Sequence, residues 1–206
     1  MKKYGILGFP AKHSLSPAVH NAAFKKLKIN AKFEIFEVEG KGLKSFFEKV
    51  REEPIYGLSV TAPYKETVID YLDEIDEDAR RIGAVNTVVN RDGVLLGYNT
   101  DFIGSNMALM EAMPEVPTGD NSVSVVFGAG GAARAVCYGL LKMGTNVWVV
   151  NRHKEKADQI AIEFAEMFEA EIHSGEWKEL GTGDILVNTT SMWLNKDPYL
   201  KKLPSF

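Results

Sequence analysis

Only one cysteine, Cys137, occurs in the 206 residues, so an intramolecular disulfide is excluded. No apolar run approaches the roughly 20 residues that span a bilayer, so no transmembrane segment and no membrane partner are expected. The chain opens Met1-Lys2-Lys3, but the apolar stretch that follows is broken by Gly5, Gly8 and Pro10. That is too short for the core of a secretory leader, and a cytoplasmic location is the expectation. Positive charge is scarce as well. Lys and Arg number 24 against 28 Asp and Glu, the net charge is −4, and no basic stripe is visible, which argues against nucleic acid as a partner. What remains is 45% hydrophobic and 25% charged, the balance of one large or two small globular domains. Cys137 falls on a helix-forming stretch and reads as a small core residue.

The most informative stretch is Val123-Ser-Val-Val-Phe-Gly-Ala-Gly-Gly-Ala-Ala-Arg-Ala135. An apolar run ends at Gly128, a Gly-x-Gly-x-x-Ala turn follows, and helix-forming residues continue through Leu140, Leu141 and Met143. Gly128 permits the tight turn. Gly130 lets the backbone approach a pyrophosphate, and Ala133 lets the helix pack close to its strand. The helix N-terminus then offers free N–H groups and a partial positive charge to phosphates. Glycines also close ordinary turns, but here a strand precedes, a helix follows, and a second strand comes at Asn146–Val150.

The end of that second strand bears on which dinucleotide would bind. An NAD site places Asp or Glu there, about 20 residues on, for the ribose 2′-hydroxyl. This chain has Asn151-Arg152-His153-Lys154 instead. No carboxylate repels a 2′-phosphate, and the planar fork of Arg152 suits one, so NADP is expected over NAD. The competing reading is that Arg152 and Lys154 are a solvated helix start.

Strand and helix signals alternate along the rest of the chain. Strands are expected at Tyr4–Leu7, Phe33–Val38 and Tyr56–Val60, and helices at Pro17–Leu27, Leu43–Val50, Glu66–Leu72 and Asp76–Ile82. The helical stripe at Pro17–Leu27 is Val19, Ala23, Phe24 and Leu27. Ala84–Asn90 and Val94–Gly97 read as a hairpin around Arg91-Asp92-Gly93. Asp101–Met113 reads as a linking helix, and Pro114–Ser122 as a loop. A helix at Glu155–Met167 and strands at Ala170–His173 and Asp184–Val187 complete the pattern. The fold class is therefore α/β with two domains. Residues 1–101 form an N-terminal domain with a mostly parallel sheet, 102–118 a link, and 119–206 a Rossmann-like domain with only about four of the usual six strands.

Four short segments carry candidate chemistry. Ser14-Leu15-Ser16-Pro17 offers two hydroxyls in a proline-fixed loop, although Ser16 could instead cap the helix that follows. Ser59-Val60-Thr61-Ala62-Pro63-Tyr64-Lys65 lies at the carboxyl end of a strand, where open α/β sheets bind ligands; a lone lysine there is otherwise a surface cation. Gly83-Ala84-Val85-Asn86-Thr87 and Gly97-Tyr98-Asn99-Thr100-Asp101 complete the set. Asn86 and Asp101 compete with ordinary turn and cap roles.

Taken together, these segments resemble the shikimate dehydrogenase family. The matching stretches are Ser14-Leu15-Ser16-Pro17, Val60-Thr61-x-Pro63-x-Lys65-Glu66, Gly83 to Thr87, Gly97-x-Asn99-Thr100-Asp101, Gly128 to Arg134, Asn151-Arg152, and Asn188-x-Thr190-Ser191. They occur in family order from residue 5 to residue 191. The resemblance implies NADP-linked interconversion of shikimate and 3-dehydroshikimate, in the biosynthesis of aromatic amino acids. It implies Lys65 and Asp101 as the catalytic pair, and Ser14, Ser16, Ser59, Thr61 and Asn86 as substrate ligands. It also implies Gly128, Ala129, Gly130, Gly131, Ala132, Asn151, Arg152, Thr189, Thr190 and Ser191 around the cofactor. Shikimate would be the small-molecule partner, with the chain a monomer or homodimer and no metal site.

The chain departs from the family pattern in three places. Ser59 stands where the family usually has Asn, with a shorter reach and no paired donor and acceptor. Met192-Trp193-Leu194 replaces the usual x-Gly-Met after the Asn-x-Thr-Ser motif. The family also runs on for roughly another sixty residues, which include a glutamine ligand with no counterpart here. Two alternatives accompany the leading expectation. One is an inactive or non-catalytic shikimate-binding homologue, suggested by the short end and Trp193. The other is a quinate or amino-shikimate dehydrogenase, suggested by Ser59.

Overall fold

A computed structural model of the chain describes residues 1–116, 119, 121–176 and 183–190. It separates into two compact units, one of Met1–Asp101 and one that starts at Phe102.

In the first unit the elements run β1 (Lys2–Gly8), α1 (Ser16–Lys26), β2 (Ala31–Glu37), α2 (Leu43–Glu52), β3 (Ile55–Val60), a 3-10 turn at Thr67–Tyr71, β4 (Glu74–Ile75), α3 (Glu77–Ile82), β5 (Thr87–Arg91) and β6 (Val94–Tyr98). They build a six-stranded sheet in the order β2-β1-β3-β5-β6-β4. β1 pairs in parallel with β2 and β3, as strands joined by helical crossovers do. β5 and β6 form an antiparallel hairpin added to β3. Asp92 and Gly93 both have positive φ, at 53° and 91°. That backbone matches the right-handed twist of a two-residue hairpin turn, which is why Asp-Gly stands there. α2 places Leu43, Phe47 and Val50 at i, i+4 and i+7, all buried against Leu7, Leu58, Val88 and Leu95. Each such side chain contributes about 1.5–3 kcal/mol by leaving water.

Local details depart from the sequence expectation. The segment 66–72 closes as a 3-10 turn, and the two-residue β4 carries too short a pattern to be read. In α1 no residue is fully buried, and Val19 and Leu27, expected on its inner stripe, are exposed. The helix instead meets the sheet through His20, Asn21 and Phe24. His20 stacks on Phe33 with ring centroids 4.2 Å apart, and Phe24 lies 5.7 Å from Tyr4. Asn21 donates to the Phe33 carbonyl and accepts from the Phe33 N–H, both at 2.9 Å. Its amide thus takes the place of a neighbouring strand along the edge strand β2.

The second unit holds α4 (Asp101–Ala112) from Phe102 onward, β7 (Val123–Phe127), α5 (Gly131–Lys142), β8 (Asn146–Val150), α6 (Lys154–Ala165), β9 (Ile172–Ser174) and β10 (Ile185–Asn188). Its described strands form a parallel sheet in the order β10-β7-β8-β9. The chain starts at β7, steps outward through β8 and β9, and returns to place β10 on the other side. The order therefore reverses between β7 and β10, the switch point of a Rossmann half. Val125, Val126, Val147 and Val149 are fully buried, as strands covered on both faces require. α4 packs on α5 instead of merely linking: the Phe102 and Tyr138 rings meet edge to face at 5.3 Å, and Asn106 donates to the Gly139 carbonyl. Arg134, buried on α5, pairs with Glu163 of α6 and lies over the Phe164 ring. Cys137 is wholly buried, and burial pushes its thiol up to about 12, which fits an inert core residue. Among the described residues no helix is long and apolar enough to cross a membrane.

The hairpin of the first unit is fastened at its turn. Arg51 of α2 donates to Asp73 at 2.5 Å, to the Gly93 carbonyl at 2.7 Å and to the Tyr71 carbonyl at 2.9 Å. Asp73 in turn accepts the Leu95 N–H. The hydrogen bond from Arg51, and then that from Leu95, hold the Asp73 carboxyl below its usual range. A depressed folded value stabilises the fold above the unfolded value of about 3.9 and loses that effect as pH falls through the folded value. Asp73→Asn is therefore expected to lower the urea midpoint at pH 7, with the gap to the parent closing below about pH 4. A gap that persists unchanged at low pH would show that the charge on Asp73 does not stabilise the hairpin.

Candidate active site

The segments singled out in the first unit converge at the carboxyl ends of its strands. β3 ends at Val60 and hands the chain to Thr61 and Lys65. β6 ends at Tyr98 and hands it to Asn99, Thr100 and Asp101. Lys65 is fixed by its backbone, whose carbonyl accepts the Val85 N–H at 2.7 Å. Asn86 is fixed at both backbone ends: its N–H donates to the Tyr98 carbonyl, and its carbonyl accepts the Val60 N–H. The residue before β5 is thereby stitched to the ends of both β3 and β6.

Asp101 is the centre of the cluster. Its Oδ2 accepts from Lys65 Nζ at 2.6 Å, and its Oδ1 accepts from Asn86 Nδ2 at 2.7 Å. Asn86 Nδ2 also donates to Thr100 Oγ1 at 2.9 Å. Asn86 Oδ1 accepts the Thr100 N–H at 3.0 Å and the Thr87 hydroxyl at 2.9 Å. A side-chain amide has two donor hydrogens and two acceptor positions, so all of Asn86 is spent within the protein here. One of those donors holds Asp101. The buried Asn99, part of the motif but given no role from sequence, holds the same stretch: its amide donates to the Ala84 carbonyl and its Oδ1 accepts the Asp101 N–H. Asp101 does begin α4, yet its side chain is committed to Lys65 and Asn86. Lys65 and Asp101 are both largely shielded, with side chains 17% and 29% exposed, so water weakens the pair less than it would a surface pair.

The loop after β1 brings Ser14 and Ser16 to the same sheet end. The structure corrects the cap reading of Ser16. The helix has no side-chain cap, and the Ser16 N–H donates to Ser14 Oγ at 3.2 Å. Ser16 is itself the first helical residue, too late in the chain to reach the free N–H groups. Thr61 donates its N–H to the Leu7 carbonyl, which sets it at the end of β1. Ser59 lies within β3, partly buried, one strand turn before Thr61.

In the second unit, Gly128 follows β7 with φ at 116°, a conformation that favours glycine. A Cβ at Gly128 would lie 2.4 Å from Thr189 Oγ1, so the turn and the segment after β10 close on each other only without a side chain. Thr189 is held there by its N–H and hydroxyl, both donated to the Phe127 carbonyl. Thr190 bonds back to Asn188 Oδ1. Gly130 caps α5 with an extended backbone and no side chain over the helix end, and Ala133 is fully buried against the sheet. Arg152 is exposed after β8, without an ion-pair partner among the described residues, while Asn151 donates to the His153 carbonyl. Ser191 and Met192-Trp193-Leu194 lie outside the described residues. The end of α5 is thus left bare beside the sheet's switch point, with an exposed arginine after β8.

Residues 6–88 match the family described as the shikimate dehydrogenase substrate binding domain. An NADP(+) shikimate dehydrogenase of Pyrococcus furiosus is 46% identical over 202 residues, covering 97% of this chain and 70% of the relative. The chain belongs to the shikimate dehydrogenase family. A second family member, from Aquifex aeolicus, is 43% identical over 196 residues and is covered to 70% of its length. A crystal structure of the shikimate 5-dehydrogenase of Thermus thermophilus with NADP(H) and shikimate superposes with a TM-score of 0.80 at 35% identity, covering 92% of this chain and 69% of that one.

Proposed function

We propose that this chain is an NADP-dependent oxidoreductase that interconverts shikimate and 3-dehydroshikimate, with Lys65 and Asp101 handling the proton. The observation that carries the assignment of the pair is the Lys65–Asp101 contact at 2.6 Å, with the far oxygen of Asp101 held by Asn86. Oxidising a secondary alcohol requires a base for the hydroxyl proton as hydride leaves the same carbon, and reduction requires an acid to return it. Lys65 has three N–H positions and spends one on Asp101, so two remain for a substrate hydroxyl or carbonyl oxygen. Asp101 keeps the amine oriented and balances its charge when the proton is on it. The hydroxyls of Ser14, Ser16, Ser59 and Thr61 suit a ring bearing several hydroxyls and a carboxylate. Asn86 serves the site through Asp101.

The turn from Gly128 to Ala132, with Asn151, Arg152, Thr189, Thr190 and Ser191, would hold the dinucleotide. When bound, NADP supplies the hydride acceptor, or as NADPH the donor. Arg152 would grip its 2′-phosphate. The reading carries a cytoplasmic location and small molecules as the partners, with the chain acting as a monomer or homodimer.

Shikimate oxidation followed by NADPH absorbance tests the assignment. Lys65→Ala is expected to lower kcat by about 10²–10⁴ with a much smaller change in KM, the scale of a lost acid–base group. A normal kcat with a raised KM would make Lys65 an anchor for the substrate only.

The cofactor assignment has its own readout. Arg152→Ala is expected to weaken NADP binding by about tenfold to a hundredfold and leave NAD nearly unchanged, since a charge-assisted phosphate contact is worth about 1.5–3 kcal/mol. Equal loss with both cofactors would remove Arg152 from the phosphate site.

A further inference from the structure

The loop that carries Ser14 and Ser16 is fastened from outside itself. It leaves β1 at Phe9, whose N–H donates to the Ala62 carbonyl at 3.3 Å. Ala11, only 5% exposed, then donates its N–H to Glu37 Oε1 at 2.9 Å. Glu37 is the last residue of β2, twenty-six positions further along the chain. From Ala11 the hydrogen bonds run in series. The Ser14 N–H donates to the Ala11 carbonyl at 3.0 Å, and the Ser16 N–H donates to Ser14 Oγ at 3.2 Å. A carboxylate on the neighbouring strand thus sets the start of a chain that ends at both hydroxyl-bearing residues. Because Ser14 Oγ serves as the acceptor for Ser16, its own O–H stays available to donate outward. Lys12 adds an ion pair to Glu37 Oε2 at 3.4 Å, but its side chain is 79% exposed, so that pair adds little. The Ala11 N–H, foremost, keeps the Glu37 carboxyl below its usual range, in keeping with a carboxylate committed to that contact.

We propose that Glu37 is a positioning residue for substrate: by pinning Ala11 it holds the Ser14 and Ser16 hydroxyls at a fixed place and spacing for a hydroxylated carboxylic acid. The proposal rests on reading Ser14 and Ser16 as substrate ligands. It assigns Glu37 no contact with substrate and no part in moving the proton.

The test is calorimetric titration of the full chain with shikimate, alongside steady-state kinetics. Glu37→Ala is expected to raise the shikimate Kd about tenfold, the scale of one lost hydrogen bond, with kcat changed less than about twofold and the KM for NADP unchanged. Glu37→Gln keeps a side-chain carbonyl for the Ala11 N–H and is expected to stay within about twofold of the parent, a rescue that loss of charge alone would not allow. Glu37→Met keeps the length of the side chain but removes the acceptor. It is expected to match Glu37→Ala and serves in its place should the alanine variant not fold. Ser14→Ala and Ser16→Ala, measured in parallel, separate the role of Glu37 from that of the serines. If the serine variants weaken shikimate binding and Glu37→Met does not, Glu37 has no positioning role although the serine assignment stands. If neither serine variant changes the Kd, the serine assignment fails and the role of Glu37 with it. Equal weakening of shikimate and NADP by Glu37→Met would mark a general loss of structure and overturn the proposal.

Discussion

Asp101 has two carboxylate oxygens, and each is taken by a side chain from a different part of the sheet. Lys65 reaches one from the loop after β3, and Asn86 reaches the other from the residue before β5. A carboxylate held by only one partner can swing about its bonds. Held from both sides in a partly shielded position, it has one orientation, and the amine that donates to it is aimed as well. The rest of the first unit supplies the conditions for that geometry. The antiparallel hairpin brings residues 86 and 101 to the same sheet end, and the turn at Asp92 and Gly93 sets its register. Arg51 and Asp73 fasten the turn at the opposite end of the hairpin. A shift of register by one residue would turn every side chain of the hairpin to the other face and separate Asn86 from Asp101.

The second unit follows a different logic. The first unit orients side chains, whereas here the backbone is kept bare. Gly128 has no side chain because Thr189 occupies the space where a Cβ would be, and Gly130 leaves the end of α5 open. The helix behind that opening is buried along nearly its whole length, so the helix end is firmly set without any side chain over it. An exposed arginine, Arg152, stands beyond β8. Both units use the carboxyl ends of parallel strands, where successive loops from one sheet gather on one side.

Much of this was legible in the sequence because it rests on short-range rules. Asp92-Gly93 between two alternating stretches specifies a hairpin, and a strand–glycine–helix sequence specifies the tight turn at Gly128. Arg152 in place of a carboxylate could be read from one position. Other features depend on contacts between distant residues. The family resemblance implies Asn86 as a substrate ligand; that its amide hydrogens go to Thr100 and Asp101 follows only once the hairpin has closed. Glu37 carries no motif, and its role depends on β2 lying beside β1. The apolar stripe of α1 followed helical spacing, but aromatic stacking and the Asn21–Phe33 amide pairing turn a different face inward. A two-residue strand such as β4 is recruited by the existing sheet and has no pattern of its own.

In the proposed reaction Asn86 acts through Asp101. A double-mutant cycle on kcat/KM for shikimate oxidation tests it most directly, using Asn86→Ala, Asp101→Ala and the two combined. If Asn86 serves only to hold the carboxylate, its removal will cost activity in the parent and almost nothing once Asp101 is already alanine. Losses that multiply independently in the double variant would contradict the account and make Asn86 a direct ligand of the substrate.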